Sequence, residues 1–315
     1  MFLFYLKANA QFDTNKKIDS LINSSIENKN FPGAQLFVKI KDSIIINKSY
    51  GFHTYDSIIS VKNTHLYDLA SLTKVLAATF SLMKLYDENK LELNDKLSFY
   101  FPDLKKSNKK STTIFQSLSH TSGWIPYINH QNFIKKRNGK IKKSIIRSSK
   151  SSRFSNIISE NLYLRNNYSK KLFKRIKKSK LDSVNKYKYS GLFFFYVPLL
   201  VEKITGLTFE EYFRKNIINK KNITLLFNPK NSFNKEFIVP TEYDSIFRKN
   251  LVHGYVHDEA ASFMGGVSGN AGLFGNAESI GILLNDLTPS SSVFKESTIQ
   301  KFTSVLSKTV SKPFF

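Results

Sequence analysis

The chain has 315 residues, 41% of them hydrophobic, and carries a formal net charge of +24. That length and apolar content allow one large domain or two small ones and exclude a disordered polymer. The absence of cysteine excludes disulfides and thiolate metal sites.

Residues 1–12 read as a signal remnant or a linker. Phe2 to Leu6 is apolar and Ala8-Asn9-Ala10 has the small residues of a cleavage site. The apolar run is nevertheless shorter than the usual ~7–15 residues and lacks a basic leader. Ile18, Leu21, Ile22 and Ile26 share one face and predict a helix over about 13–28, ended by Pro32-Gly33. Alternation of Leu36, Val38 and Ile40 predicts a strand over 34–40, and Lys41-Asp42-Ser43 turns the chain into a second strand over 44–50. A long amphipathic helix is predicted over about 71–87, with Leu72, Val75, Leu76, Phe80, Met83 and Tyr86 as its apolar stripe. Residues 99–124 read as loops with a short helix near 113–119.

Residues 134–186 are rich in Lys and Arg and nearly free of acids. Leu172, Phe173 and Ile176 among the second group of lysines predict a basic amphipathic helix, read as a solvated face. The charge suits a binder of nucleic acid or another polyanion. The drift of an AT-rich coding sequence is the better reading, because it also accounts for the abundant Asn, Ile and Phe that phosphate binding does not need. A buried helix follows over 192–205. Gly206 caps it, and Thr208 with Glu211 forms a capping box for the next helix. Gly265 to Gly275 reads as a tight loop; it lacks the Lys-Ser/Thr ending of a phosphate loop. The longest apolar run, Leu192 to Val201, falls well short of the ~20 residues a spanning helix needs.

The chemical signal is Ala70-Ser71-Leu72-Thr73-Lys74. A serine and a lysine three apart at the start of a helix share a face, so the amine reaches the hydroxyl. Serine becomes a nucleophile when a base takes its proton, and a lysine does so when it is neutral. His253 and His257 have zinc-like spacing, but no Glu-x-x-His pattern or third ligand accompanies them, so no metal or other cofactor is expected. No pair of carboxylates suggests a glycosidase.

Tyr67-Asp68-Leu69-Ala70-Ser71-Leu72-Thr73-Lys74 resembles the nucleophile motif of the β-lactamase-related serine hydrolases, the group of class C β-lactamases and penicillin-binding proteins. Four further segments resemble that family's in order. They are Leu118-Ser119-His120-Thr121-Ser122-Gly123, Tyr187-Lys188-Tyr189-Ser190-Gly191-Leu192, Val201 to Gly206, and Gly265 to Phe274. Phe52 to Tyr55 and Val256 to Glu259 resemble a subgroup fused to family 3 glycoside hydrolases, which would make such a hydrolase a fused or separate partner.

The resemblance implies an α+β fold of the sandwich type, β-lactamase/transpeptidase-like, with a helical domain beside an antiparallel sheet. One such domain would span 13–315, its helical subdomain about 71–290. Ser71 would be acylated, Lys74 would shuttle its proton and Tyr189 would act as second base or relay, with Tyr187 as a fallback. His120 would make a structural turn rather than act as a base. Ser122, Gly191, Gly269, Asn270 and Gly272 would lie at the site as substrate-binding or structural residues. The implied substrates are β-lactams, D-amino-acid peptides of the cell wall and esters. An anionic cell-wall polymer is a further possible partner, and nucleic acid is not favoured. The implied location is the cell envelope, periplasm or exterior, with the cytoplasm left open.

Two departures stand out. Gly191 replaces the Asn or Asp of many relatives, which removes a side chain that would contact the lysine or the substrate. The family's third motif, Lys-Thr-Gly or His-Thr-Gly, is absent; Ser307-Lys308-Thr309 lacks the glycine. The sequence therefore leads us to expect a C-terminally truncated domain without its last strands and helix, with a two-stranded remnant of the sheet and impaired turnover. Losing one oxyanion donor costs roughly 3–4 kcal/mol in the transition state.

Overall fold

The computed structural model describes residues 2–219, 221–288, 291 and 293–304, with residues 2–14 as backbone only. Ser307 to Thr309 lies outside the described residues. Helix α1 (Phe2–Glu27) leads into an antiparallel hairpin of β1 (Gly33–Ile40) and β2 (Ser43–Gly51). The helix begins well before the predicted start, because no Gly or Pro interrupts residues 2–31. It is continuous through the segment read as a signal remnant. Among the described residues no helix is long and apolar enough to cross a membrane.

After β3 (Tyr67–Asp68), a π-helical turn (Lys74–Thr79) runs directly into α2 (Phe80–Asp87). Its Ala77, Ala78, Phe80, Leu82, Met83 and Leu85 are fully buried, and α2 is the centre of the main core. Each large apolar side chain buried there contributes about 1.5–3 kcal/mol. Leu72, assigned to the apolar stripe, is instead exposed. The wider π turn shifts the helical phase, so the stripe that Leu76 and Met83 define does not run back to Leu72. The short helices α3 (Leu97–Tyr100), α4 (Ile114–Leu118) and α5 (Gln131–Ile134) follow. Thr113 and Gln116 form a capping box on α4.

The basic segment folds as a small sheet in the order β4 (Ile146–Arg147), β6 (Leu162–Leu164), β5 (Asn156–Ser159), then α6 (Tyr168–Lys178). The predicted amphipathic helix is present, with Leu172 and Ile176 buried. The buried helix over 192–205 is split into a 3-10 turn at Phe193–Phe195 and α7 (Val197–Thr205). Pro198 is the reason: it is tolerated in the first turn of a helix, not in its middle. Gly206, at φ 74, ends α7, and Thr208 and Glu211 cap α8 (Phe209–Asn216) as predicted. Then come β7 (Leu225–Phe227), the β8 (Tyr243–Asp244)–β9 (Asn250–Leu251) pair, and α9 (Glu259–Ser262). The glycine-rich stretch is not all loop, because its end, β10 (Leu273–Gly275), pairs antiparallel with both β3 and β7. Helices α10 (Ala277–Leu284) and α11 (Glu296–Thr303) close the described chain, α10 against β1 and α11 against α2. The architecture is the expected mixture of helices and antiparallel sheet.

Candidate active site

Ser71 and Lys74 meet because the chain turns sharply before the helix. Ala70 adopts φ 44, in the left-handed region that a residue with a Cβ disfavours. Asp68 holds that turn by accepting from the Ala70 N–H at 2.8 Å and from the His257 N–H at 2.6 Å. Burial pushes the Asp68 carboxyl up, against the pull of those two donors. Ser71 is thereby presented to solvent, while Lys74 is buried.

Lys74 Nζ donates to Ser71 Oγ at 2.9 Å and to the Asn270 carbonyl oxygen at 2.9 Å. Among the described residues no carboxylate lies within ion-pair distance of it. The amine faces instead the rings of Tyr189 and Phe194, 5.4 and 5.8 Å from their centroids. The π turn begins at this lysine, and Thr79 Oγ1 donates to the Lys74 carbonyl at 2.7 Å. Single π turns inside α-helices are frequent at functional sites.

Backbone pairing brings Tyr189 in from distant sequence. Residues 120–126 are laced to residues 182–191 by four bonds: Lys188 N–H to His120 O, Asn185 N–H to Thr121 O, Asp182 N–H to Gly123 O and Gly191 N–H to Pro126 O. His120 Nδ1 also accepts from the Ser190 N–H at 3.2 Å, and its ring lies 4.6 Å from that of Tyr189. Burial, with the Lys74 charge adding to it, pushes the His120 imidazole down to about 4. The neutral ring is the form that can accept this bond. Ser122 is buried in the same turn. The Tyr189 ring is half exposed, and among the described residues its hydroxyl makes no hydrogen bond.

The glycines divide into two kinds. A Cβ on Gly191 would meet Lys74 Cε at 3.7 Å, ordinary contact, so the missing side chain does open the space beside the lysine. A Cβ on Gly269 would lie 2.4 Å from the Phe194 carbonyl, and one on Gly272, at φ +112, 2.3 Å from the Gly266 carbonyl. These two glycines let the 265–275 loop pack tightly enough to put the Asn270 carbonyl under Lys74. The Asn270 side chain is held by Ser268 Oγ at 2.7 Å, and Leu273 N–H bonds Thr73 Oγ1 at 3.1 Å, tying loop to helix.

Ser71, Lys74, Tyr189, Gly191 and Asn270 all line one cleft of about 500 Å³. Its far wall was not apparent in the sequence. There Arg248, buried, donates to the carbonyls of Ile158, Val256 and His257, and Asp244 accepts from three successive backbone N–H groups. No local pattern marks these residues, because their partners come from distant loops. His257 bonds Glu242 and His253 bonds the carbonyls of Lys235 and Ile238, so the two histidines serve separate structural contacts.

Comparison with known proteins places the chain among relatives of one family. The Beta-lactamase family model matches residues 18–313. A Salmonella agona (strain SL483) protein named "Putative D-alanyl-D-alanine carboxypeptidase" is 29% identical over 328 aligned positions, covering 93% of this chain and 70% of that protein. The N-acetylmuramyl-L-alanine amidase of Bacillus subtilis (strain 168) is 30% identical, covering 87% of this chain and 63% of the amidase. In fold, the octameric penicillin-binding protein homologue from Pyrococcus abyssi matches with a TM-score of 0.67 at 17% identity, over 92% of this chain and 60% of that one. With a tethered Ser-Lys pair in a cleft and a family match along nearly its whole length, the chain belongs to the Beta-lactamase family.

Proposed function

We propose that the chain is a serine hydrolase of the cell envelope that forms an acyl-enzyme on Ser71, acting on cell-wall peptides that end in D-amino acids. The observation that carries this reading is the 2.9 Å contact between Lys74 Nζ and Ser71 Oγ, with the Asn270 carbonyl 2.9 Å from the same nitrogen. In a neutral amine, one N–H remains on Asn270 and the lone pair turns toward Ser71, which then donates. Ser71 Oγ attacks the acyl carbon as its proton passes to Lys74 Nζ. The leaving amine takes a proton from Lys74, directly or through Tyr189, and the acyl group stays on Ser71. Water then repeats the sequence, the acyl–oxygen bond breaks and Ser71 regains its proton. The Ser71 N–H at the mouth of the helix supplies an oxyanion donor.

The names of the relatives, a carboxypeptidase and an amidase, favour cell-wall peptides over other acyl substrates. β-Lactams and simple esters present the same reactive carbonyl. Incubation with a fluorescent penicillin or a fluorophosphonate, followed by peptide mass spectrometry, tests the reading. The expected result is one adduct on Ser71 that Ser71→Ala abolishes. Absence of any adduct on the folded wild-type protein would make the chain a non-catalytic binding module of this fold.

A further inference from the structure

The positive charge is unevenly placed. Residues 134–186 hold eighteen Lys and Arg against two acids, a net +16 out of the chain's +24. Codon drift would spread the excess along the chain; here 53 residues hold two thirds of it. The two acids do not offset it, because Glu160 pairs with Lys230 and Lys235, and Asp182 with Lys188, all outside the segment. Among the described residues only Lys177 of the eighteen has a carboxylate within 4.0 Å, the exposed Asp103. None of the eighteen is buried, and fourteen are exposed.

The fold gathers part of this charge on α6, between two grooves of about 540 and 570 Å³ that both take Lys174 and Lys178 as lining. One groove adds Lys171 and Arg175, the other Lys170 and Lys177. The first also contains Ile128, which lines the Ser71 cleft, so a chain lying in it runs beside the cleft.

The chemistry of the face narrows its occupant. Nucleic-acid single strands are held by stacking bases on open aromatic faces. Here two rings in or next to the segment are covered by its own arginines: Arg175 lies 4.0 Å from the Phe133 centroid and Arg147 4.5 Å from that of Phe154. Tyr168 is buried. A membrane-surface helix needs an apolar face to insert, and the apolar face of α6, Leu172 and Ile176, is already inside the core. What remains is a row of lysines suited to a flexible string of phosphates.

We propose that α6 and its two grooves form a docking surface for a linear phosphodiester polymer without bases, which holds the enzyme on an anionic matrix with its cleft alongside. The surface acts independently of acylation at Ser71. Binding of a fluorescent glycerol-phosphate oligomer to the full chain, measured from 25 to 200 mM salt, tests it. Each phosphate contact contributes a slope of about −0.7 to −0.9 in log K against log salt. Replacing Lys170, Lys171, Lys174 and Lys178 with Gln should flatten that slope by about 3 and weaken binding more than tenfold at low salt, with unchanged circular dichroism. Replacing Lys29, Lys41, Lys62 and Lys215 with Gln removes the same charge elsewhere and should weaken binding by less than threefold. Equal losses in the two variants would reduce the effect to net charge and overturn the proposal. So would tighter binding, charge for charge, to a single-stranded oligodeoxynucleotide or to phosphatidylglycerol vesicles.

Discussion

Two lysine-bearing helical segments of this molecule put the same side chain to opposite uses. Lys74 is buried at the start of a π turn, held by a hydroxyl and a carbonyl and faced by two rings. The lysines of α6 stand in solvent, and only Lys177 has an acid nearby. Burial confines a single amine to a few fixed contacts; exposure leaves each charge cheap and lets many act together. Surroundings, rather than abundance, decide what a lysine does here.

The largest difference between the two regions should appear in their tolerance of added atoms. Gly269→Ala forces a methyl against the Phe194 carbonyl behind Lys74, where backbone cannot yield. It should lower stability by about 3 kcal/mol. Gly139→Ala in the basic segment meets nothing within 4 Å and is penalised only by its φ of +77, about 1 kcal/mol. Urea denaturation of both variants checks the order; equal losses would mean that the cleft wall is as loosely packed as the basic loops.

Acid should separate the regions next. His120 and His130 line or support the cleft, and burial first, then a neighbouring cation, pushes both down to about 4. A folded-state value below the unfolded one of about 6.5 means that the unfolded chain binds more protons between those values. Stability is therefore complete above about pH 6.5 and is lost as pH falls toward 4. Denaturation midpoints should fall between pH 7 and 5, and His120→Gln should remove part of that slope. The basic segment holds no histidine and enters only through Arg175, whose charge adds to the burial of His130.

Thr79→Val gives a smaller effect. It removes the hydroxyl that bonds the Lys74 carbonyl inside the π turn, a loss of about 1 kcal/mol. It should also slow acylation of Ser71 several-fold, read with a reporter penicillin. A stability loss with an unchanged acylation rate would show that the turn does not aim Lys74.

Much of this was legible in the sequence where the signal is local. The β1–β2 hairpin follows from alternation and a turn, and the meeting of Ser71 and Lys74 from spacing on one helical turn. The pairing of the His120 and Tyr189 segments was implied only by the order of family motifs, since backbone bonds between residues about 65 apart leave no periodic trace. The π turn was invisible, because it changes the helix's phase without changing its composition. The break before Pro198 has a local signal in the proline itself, but the apolar run on both sides of it masks that signal. The far wall around Arg248 was beyond reach, because its carbonyl partners are specified by loop conformation rather than by residue type.

The most direct test concerns whether Lys74 accepts the Ser71 proton. The acylation rate of Lys74→Ala by a reporter β-lactam, measured with and without added methylamine, reads that step alone. The expected result is a fall of about 10²–10⁴, partly reversed in proportion to the free amine. A variant that acylates as fast as the wild type would assign the proton to another group and remove the basis for the proposed mechanism.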